Sequence, residues 1–206
     1  MLIGIDISHH NRYMKNKADL KALDFVLMKA TEGKKFKDPA MKEFISSLDK
    51  DQLRGFYHYG RPELGNTPES EAFHFIDTVK PYLNGRSILA LDIEGAALNF
   101  QDLDNWCCVW MQVVFLSTGI LPMLYCSVAE CKRFSGVRAL SCGLWAAKWS
   151  KNKPTQKQMQ PWDFWAIWQY TDKNIFSGVR TDADLFNGSR EQFLKYAEIK
   201  DDRPTV

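Results

Sequence analysis

Hydrophobic positions along the chain fall into short runs with a period of two, separated in the first half by longer amphipathic stretches. The alternation reads as strands divided by helices. Eight segments carry the strand pattern: Leu2 to Ile7, Phe25 to Ala30, Arg54 to Tyr59, Ser87 to Ile93, Leu121 to Cys126, Gly143 to Ala147, Phe164 to Tyr170 and Arg180 to Phe186. Asp38-Pro39 and Thr67-Pro68 each place an N-cap type before a first-turn proline, predicting helices through Leu48 and Val79. A third helix is predicted from Asp102 to Thr118, with Gly119 just past its end, and shorter ones over Asn16 to Leu23, Val128 to Phe134 and Ser189 to Tyr196.

Strands separated by crossover helices pair in parallel, and eight of them predict an α/β, TIM-like barrel with about five helices. The last three strands have connections too short for full helices, which shortens the chain below the roughly 250 residues of a complete eightfold barrel. Residues 1–196 form one expected barrel domain, and 197–206 a polar C-terminal tail without apolar periodicity, expected to fray.

Composition narrows the class. Among 206 residues, 27 Lys+Arg against 25 Asp+Glu leave a net charge of +2, which gives no lasting positive field for nucleic acid or anionic membrane. The longest apolar stretch, Trp106 to Leu116, is far short of a membrane span, so no membrane insertion is expected. Met1 to Asp6 lacks the basic and apolar regions of a signal peptide. Five cysteines without CxxC spacing read as buried small hydrophobes of a chain made in a reducing compartment, and the adjacent His9-His10 pair lacks metal-site spacing. No metal and no cofactor are expected. Lys34, Lys35 and Lys37 read as a solvated loop.

The chemistry concentrates in Ser87-Ile-Leu-Ala-Leu-Asp-Ile-Glu94. Alternation puts Leu89, Leu91 and Ile93 on one face, suited to helix packing, and Ala90, Asp92 and Glu94 on the other. Asp92 and Glu94 then sit at the C-terminal end of a barrel strand, where barrel enzymes place their catalysts, with Cα atoms about 6.6 Å apart. Carboxylates that close resist double ionisation, so one keeps a proton for general acid work. Asp6 alternates with Ile5 and Ile7 in the first strand, and Asp182 and Asp184 lie in the last. An acidic rim with Tyr57, Tyr59, Tyr125, Trp145 and Trp168 suits a carbohydrate cleft. No phosphate loop and no G-x-S-x-G elbow is present.

The chain resembles the family 25 glycoside hydrolases, lysozymes of the N-acetylmuramidase type. The resemblance lies in Gly4-Ile-Asp-Ile-Ser8, Asp24-Phe-Val-Leu-Met-Lys-Ala-Thr-Glu-Gly33 with Lys37-Asp-Pro39, Gly55-Phe-Tyr-His-Tyr59 and Leu91-Asp-Ile-Glu94. It continues in Leu124-Tyr-Cys-Ser127, Leu144-Trp-Ala-Ala147, Trp168-Gln-Tyr-Thr171 and Asp182-Ala-Asp-Leu-Phe-Asn-Gly188. It implies hydrolysis of the β-1,4 bond between N-acetylmuramic acid and N-acetylglucosamine, with Glu94 as general acid/base, Asp92 as its neighbouring carboxylate and Asp6 as the N-terminal site aspartate. The spacing to Gly188 assigns the last site position to Asp182, while Asp184 falls where the family usually has Asn; Arg12 and Ala183 are further departures. Lys29 and Gln169, inside two of the matching segments, join Tyr57, Tyr59, Tyr125 and Trp145 as expected substrate-binding residues.

The resemblance further implies retention of configuration, either by direct attack of a carboxylate or by participation of the substrate 2-acetamido group. Peptidoglycan glycan strands are the expected partner and a monomer the expected state. Without a signal peptide, the chain is expected to be made in the cytoplasm and to reach the wall after release, as a phage endolysin does. A non-catalytic glycan-binding barrel and a chitinase-like hydrolase are the competing readings, the latter lacking its longer DxxDxDxE pattern here.

Overall fold

The computed structural model describes residues 1–200, and the last residues of the expected tail, 201–206, lie outside it. Nine strands form among the described residues: β1 (Leu2–Ile7), β2 (Phe25–Glu32), β3 (Phe36–Lys37), β4 (Leu53–Tyr59), β5 (Ser87–Asp92), β6 (Met123–Ser127), β7 (Leu144–Ala147), β8 (Ile167–Phe176) and β9 (Val179–Phe186). Eight of them close a barrel in the order β1-β2-β4-β5-β6-β7-β8-β9, with β9 returning to β1. The short β3 folds back on the end of β2 as an antiparallel flap, so Lys37 belongs to a strand rather than to the expected loop.

From β1 through β8 the ring is parallel, but β9 runs antiparallel to both β8 and β1. The wholly parallel expectation fails there because β8 runs to Phe176, beyond its predicted end at Tyr170, and turns back through Ser177-Gly178. Those residues adopt φ of 45° and 81°. Both central residues at positive φ make the tight turn that suits the twist of an antiparallel hairpin.

Six α-helical segments accompany the ring: α1 (Met41–Ser47), α2 (Pro68–Val79), α3 (Leu103–Thr118), α4 (Ser135–Ala139), α5 (Gln156–Met159) and α6 (Arg190–Tyr196). Thr67 caps α2 through Ser70 N, Gly119 ends α3 at φ 75°, and Ser189 caps α6 through Gln192 N. Asp38 does not cap α1, which starts at Met41; its carboxylate instead accepts from Ala40 N and from His9 N, each at 2.9 Å. Asn16 to Leu23 and Val128 to Phe134 contain 3-10 turns rather than α-helices.

Two apolar layers follow from the alternation. Ile5, Ile7, Leu89, Leu91 and Ile93 point outward into a cluster with α1, α2 and α3, and Phe25, Leu27, Tyr57, Ala90, Tyr125 and Trp145 fill the barrel. α6 closes the end opposite the site, where Phe193 packs 5.1 Å from Phe186 and 5.5 Å from Phe25 between ring centroids. The chain stays packed past Tyr196, with Ala197 buried and Lys200 N donating to Gly119 O.

Candidate active site

Asp92 is the last residue of β5, paired in register with Tyr59 on one side and Tyr125 on the other, and Glu94 follows two residues later in extended backbone. Gly95, at φ 58°, then turns the chain, and a Cβ there would lie 2.9 Å from Tyr59 Oη. Glycine is required for both reasons. Because β9 runs backwards, Asp182 in its first half reaches the same rim and pairs in register with Asp6. The rim therefore gathers Asp6, Asp92, Glu94, Asp182 and Asp184; burial raises all five carboxyls, and repulsion from neighbouring carboxylates adds to it at Asp6, Asp92, Asp182 and Asp184.

The individual causes differ. Desolvation pushes Asp6 to about 6, opposed by hydrogen bonds from Gln169 and Asp184, and pushes Asp182 to about 7, helped by the charges of Asp6 and Asp172. Asp92 is raised well above the carboxylate range, first by burial and then by Glu94, and its buried Oδ1 has no hydrogen-bond partner. Glu94 is raised by burial, with the Lys29 ammonium and the Tyr125 hydroxyl pulling the other way. The five groups lie close enough that their protons come off as a set rather than residue by residue.

Polar side chains lock this arrangement. Gln169 Nε2 donates to Asp6 Oδ2 at 2.8 Å, while its Oε1 accepts from Tyr125 Oη at 3.0 Å and Trp149 Nε1 at 2.9 Å. Trp145 Nε1 donates to Asp184 Oδ1 at 2.8 Å. Tyr125 has one proton for two neighbours. It donates to Gln169 Oε1, and its hydrogen bonding to Glu94 favours the ionised form of that carboxyl.

Lys29 reaches the rim by a different device. A register shift between Lys29 and Thr31 inserts Ala30 as a bulge, so Lys29 and Glu32 face the same way despite their odd spacing and pair at 2.7 Å. Lys29 also lies over the Tyr59 ring, 4.7 Å from its centroid. Beneath the loop after β4, buried Glu71 receives His58 Nε2 at 2.7 Å, Asn66 Nδ2 at 2.6 Å and Arg61 N at 3.1 Å, which holds Arg61 against Glu32.

The aromatic expectations divide. Tyr59 is half-buried at the rim, but Trp145 is 2% exposed and Tyr57 8%, so these two form the floor beneath the acids, edge to face at 5.8 Å, and offer no open ring to a sugar. Tyr125, also buried, presents its hydroxyl. Trp168 points away from the barrel interior, packing on Trp165 and Tyr170 in the outer layer. Sequence reasoning missed Trp149, 60% exposed, although Trp145, Ala147 and Trp149 continue one alternation past the end of β7. It also missed Glu32 and Gly95.

Two open cavities adjoin residues that interact with the acids. One, of about 620 Å³, is lined by Lys29, Glu32 and Arg61 with the β2–β3 turn; the other, of about 610 Å³, by Trp149, Tyr170, Asp172 and Lys173. Lys29 ties the first to Asp92 and Glu94, and the Trp149–Gln169–Asp6 hydrogen bonds tie the second to Asp6. Open cavities reached through two different polar neighbours of the acids suit an extended ligand more than a small enclosed one. Among the described residues no group of three His, Cys, Asp or Glu side chains is placed to hold a metal ion.

Solved structures share this fold. A muramidase from Trichobolus zukalii is 27% identical with a TM-score of 0.79, covering 96% of this chain and 99% of that one. A family GH25 lysozyme from Aspergillus fumigatus is also 27% identical, with a TM-score of 0.79, covering 95% and 98%. Among curated proteins, an N,O-diacetylmuramidase from Arthroderma benhamiae is 24% identical over 95% of this chain and 86% of its own. The model of glycosyl hydrolases family 25 matches residues 5–179, which takes in Asp6, Asp92 and Glu94 and stops short of Asp182. The chain belongs to glycosyl hydrolases family 25 and is a glycoside hydrolase.

Proposed function

We propose that the protein cleaves peptidoglycan at the β-1,4 bond from N-acetylmuramic acid to N-acetylglucosamine, with retention of configuration, after release to the wall. The observation that carries this reading is a set of carboxyls raised by burial, Glu94 and Asp92 among them, joined through Lys29 to one open cavity and through Gln169 and Trp149 to another. Relatives named muramidase and lysozyme support the choice of bond.

Glu94, the more exposed member of the pair, gives its proton to the leaving glycosidic oxygen and then takes one from the incoming water. Asp92 Oδ1 has no donor within the protein. The N–H of a substrate 2-acetamido group supplies one, which favours the ionised form of Asp92 and leaves the pair's proton on Glu94, where protonation of the leaving group needs it. The acetamido oxygen then attacks the anomeric carbon as the bond to the leaving oxygen breaks, and water later opens the cyclic intermediate. Asp6 and Asp182 hold the sugar from the other side of the rim.

Mass spectrometry of digested, purified peptidoglycan tests the bond: the expected products end in reducing N-acetylmuramic acid. Reducing N-acetylglucosamine ends, or no cleavage, would overturn the assignment. Proton NMR of the first product anomer tests retention.

A further inference from the structure

Two features that stand apart from the acids meet in the cavity beside Lys29. Lys34 and Lys35, in the turn opened by Gly33 between β2 and β3, line it together with His9 and His10. Four cations, Lys29, Lys34, Lys35 and Arg61, face one carboxylate, Glu32. Glu32 is already engaged by Lys29 at 2.7 Å and by Arg61. Among the described residues, Lys34 and Lys35 have no ion-pair partner. Like charges around one concavity repel each other, and an entering anion relieves that repulsion. This cavity carries four cations to one carboxylate, where the cavity beside Trp149 carries Lys151 and Lys173 against Asp172.

The lining also selects among anions. Arg61, the one group able to grip a phosphate with two parallel hydrogen bonds, is taken up by Glu32 and Glu63. What remains are lysine ammoniums, point charges on flexible stems that pair with an anion without a fixed bidentate geometry. Phe36, 38% exposed, and Leu64, 61% exposed, add apolar surface to the same cavity. Cations beside exposed apolar side chains fit a short peptide with apolar side chains and free carboxyl groups, whereas a phosphodiester chain would engage the cations and leave Phe36 and Leu64 without a partner. Lys29, shared between this cavity and the Asp92–Glu94 pair, places such a peptide next to the bond being cleaved.

We propose that this cavity is a subsite for the carboxylates of the peptide stems borne by the glycan, read by Lys34 and Lys35. The inference rests on the peptidoglycan reading above. Its test compares wild type with the double variant Lys34→Gln/Lys35→Gln on three soluble glycan substrates: strands with intact stems, strands stripped of stems by an amidase, and strands whose stem carboxylates are amidated. A fourth, stripped strands still carrying wall phosphodiester polymer, reports the competing anion.

The variant is expected to lose about five- to tenfold in kcat/KM on intact stems at low salt, chiefly through KM, as for two partly exposed ion pairs. It should match wild type on stripped and amidated strands and melt at the same temperature. An equal loss on every substrate, no loss on intact stems, or a loss that follows the phosphodiester polymer would each overturn the subsite. Wild type that cleaves neither intact nor stripped strands would overturn the peptidoglycan reading, and this inference with it. Wild type and variant that cleave both at equal rates would overturn the subsite alone.

Discussion

Trp145 Nε1 donates to Asp184 Oδ1 at 2.8 Å, the one hydrogen bond that this buried carboxyl receives among the described residues. Asp184 is fully buried, Trp145 supplies a donor to its Oδ1 only, and an ionised Oδ2 would be left without one. Burial first, and then the charge of Asp6, push the Asp184 carboxyl well above the usual range, which favours its uncharged form. An amide keeps the acceptor for Trp145 and carries no charge. Asp184→Asn is therefore expected to keep the fold and most of the turnover, whereas Asp182→Asn, at the rim, is expected to lower turnover. Steady-state rates and melting curves of the two variants check the distinction, and a collapse of activity in Asp184→Asn alone would reverse it.

The same burial makes stability depend on pH. Asp6 at about 6 and Asp182 at about 7 in the folded protein ionise near 4 once unfolded. Folding then favours the protonated forms, and the stabilisation they give is complete below about pH 4 and lost as pH rises toward 7. Asp6→Asn removes one such group, and at pH 7 it is expected to raise stability by about 1–3 kcal/mol, with the gain shrinking toward pH 4. Chemical denaturation at both pH values measures it. A variant less stable than wild type at pH 7 would show instead that the Gln169 hydrogen bond to Asp6 outweighs the charge.

Glu94→Gln is expected to reduce wall hydrolysis by about 10²–10⁴ with the melting temperature unchanged, because the amide keeps the shape and gives up the transferable proton. Turbidity clearing of cell walls, read beside a melting curve, checks it. Clearing at wild-type speed would remove Glu94 from the role of acid.

Much of this site follows from alternation alone. Leu89, Leu91 and Ile93 against Ala90, Asp92 and Glu94 sorts one strand into a packing face and a working face, and the layers in the fold are the same two sets. What escapes a period of two is anything that breaks it. The bulge at Ala30 changes the parity of β2, so nothing in the local pattern places Glu32 beside Lys29. Trp168 shares its strand with Gln169, and only the register decides that Gln169 turns to the acids while Trp168 turns away. The reversed direction of β9 depends on a two-residue turn at Ser177-Gly178, and the burial of Asp184 depends on pairing with β1 across the barrel closure.

Gly95 carries a sharper expectation. Gly95→Ala puts a side chain at φ 58° and a Cβ 2.9 Å from Tyr59 Oη, directly after Glu94. Backbone strain of this kind costs about 1–3 kcal/mol, and relieving it shifts Glu94 from its place over the scissile bond. The expected result is a kcat lowered at least tenfold. Tyr59→Phe in the same chain removes the crowded hydroxyl and is expected to restore part of the loss, a coupling that a double-mutant cycle measures. Full activity in Gly95→Ala would mean that the turn does not position Glu94.

The pH profile of hydrolysis separates the two neighbours of Glu94 by sign. Its alkaline limb is set by loss of the proton that the acid must donate, held by Asp92 and Glu94 as a pair. Lys29 stabilises the ionised form of both carboxyls, so Lys29→Met is expected to move that limb upward. Asp92→Asn removes a negative neighbour, making Glu94 easier to ionise, and is expected to move the limb of the residual activity downward. Desolvation acts on Glu94 in both variants, so only the charges differ. Profiles of kcat/KM for the three proteins at one ionic strength make the comparison. Limbs that move in the same direction in both variants would mean that charge near Glu94 does not set the alkaline limb, and that another group carries the proton.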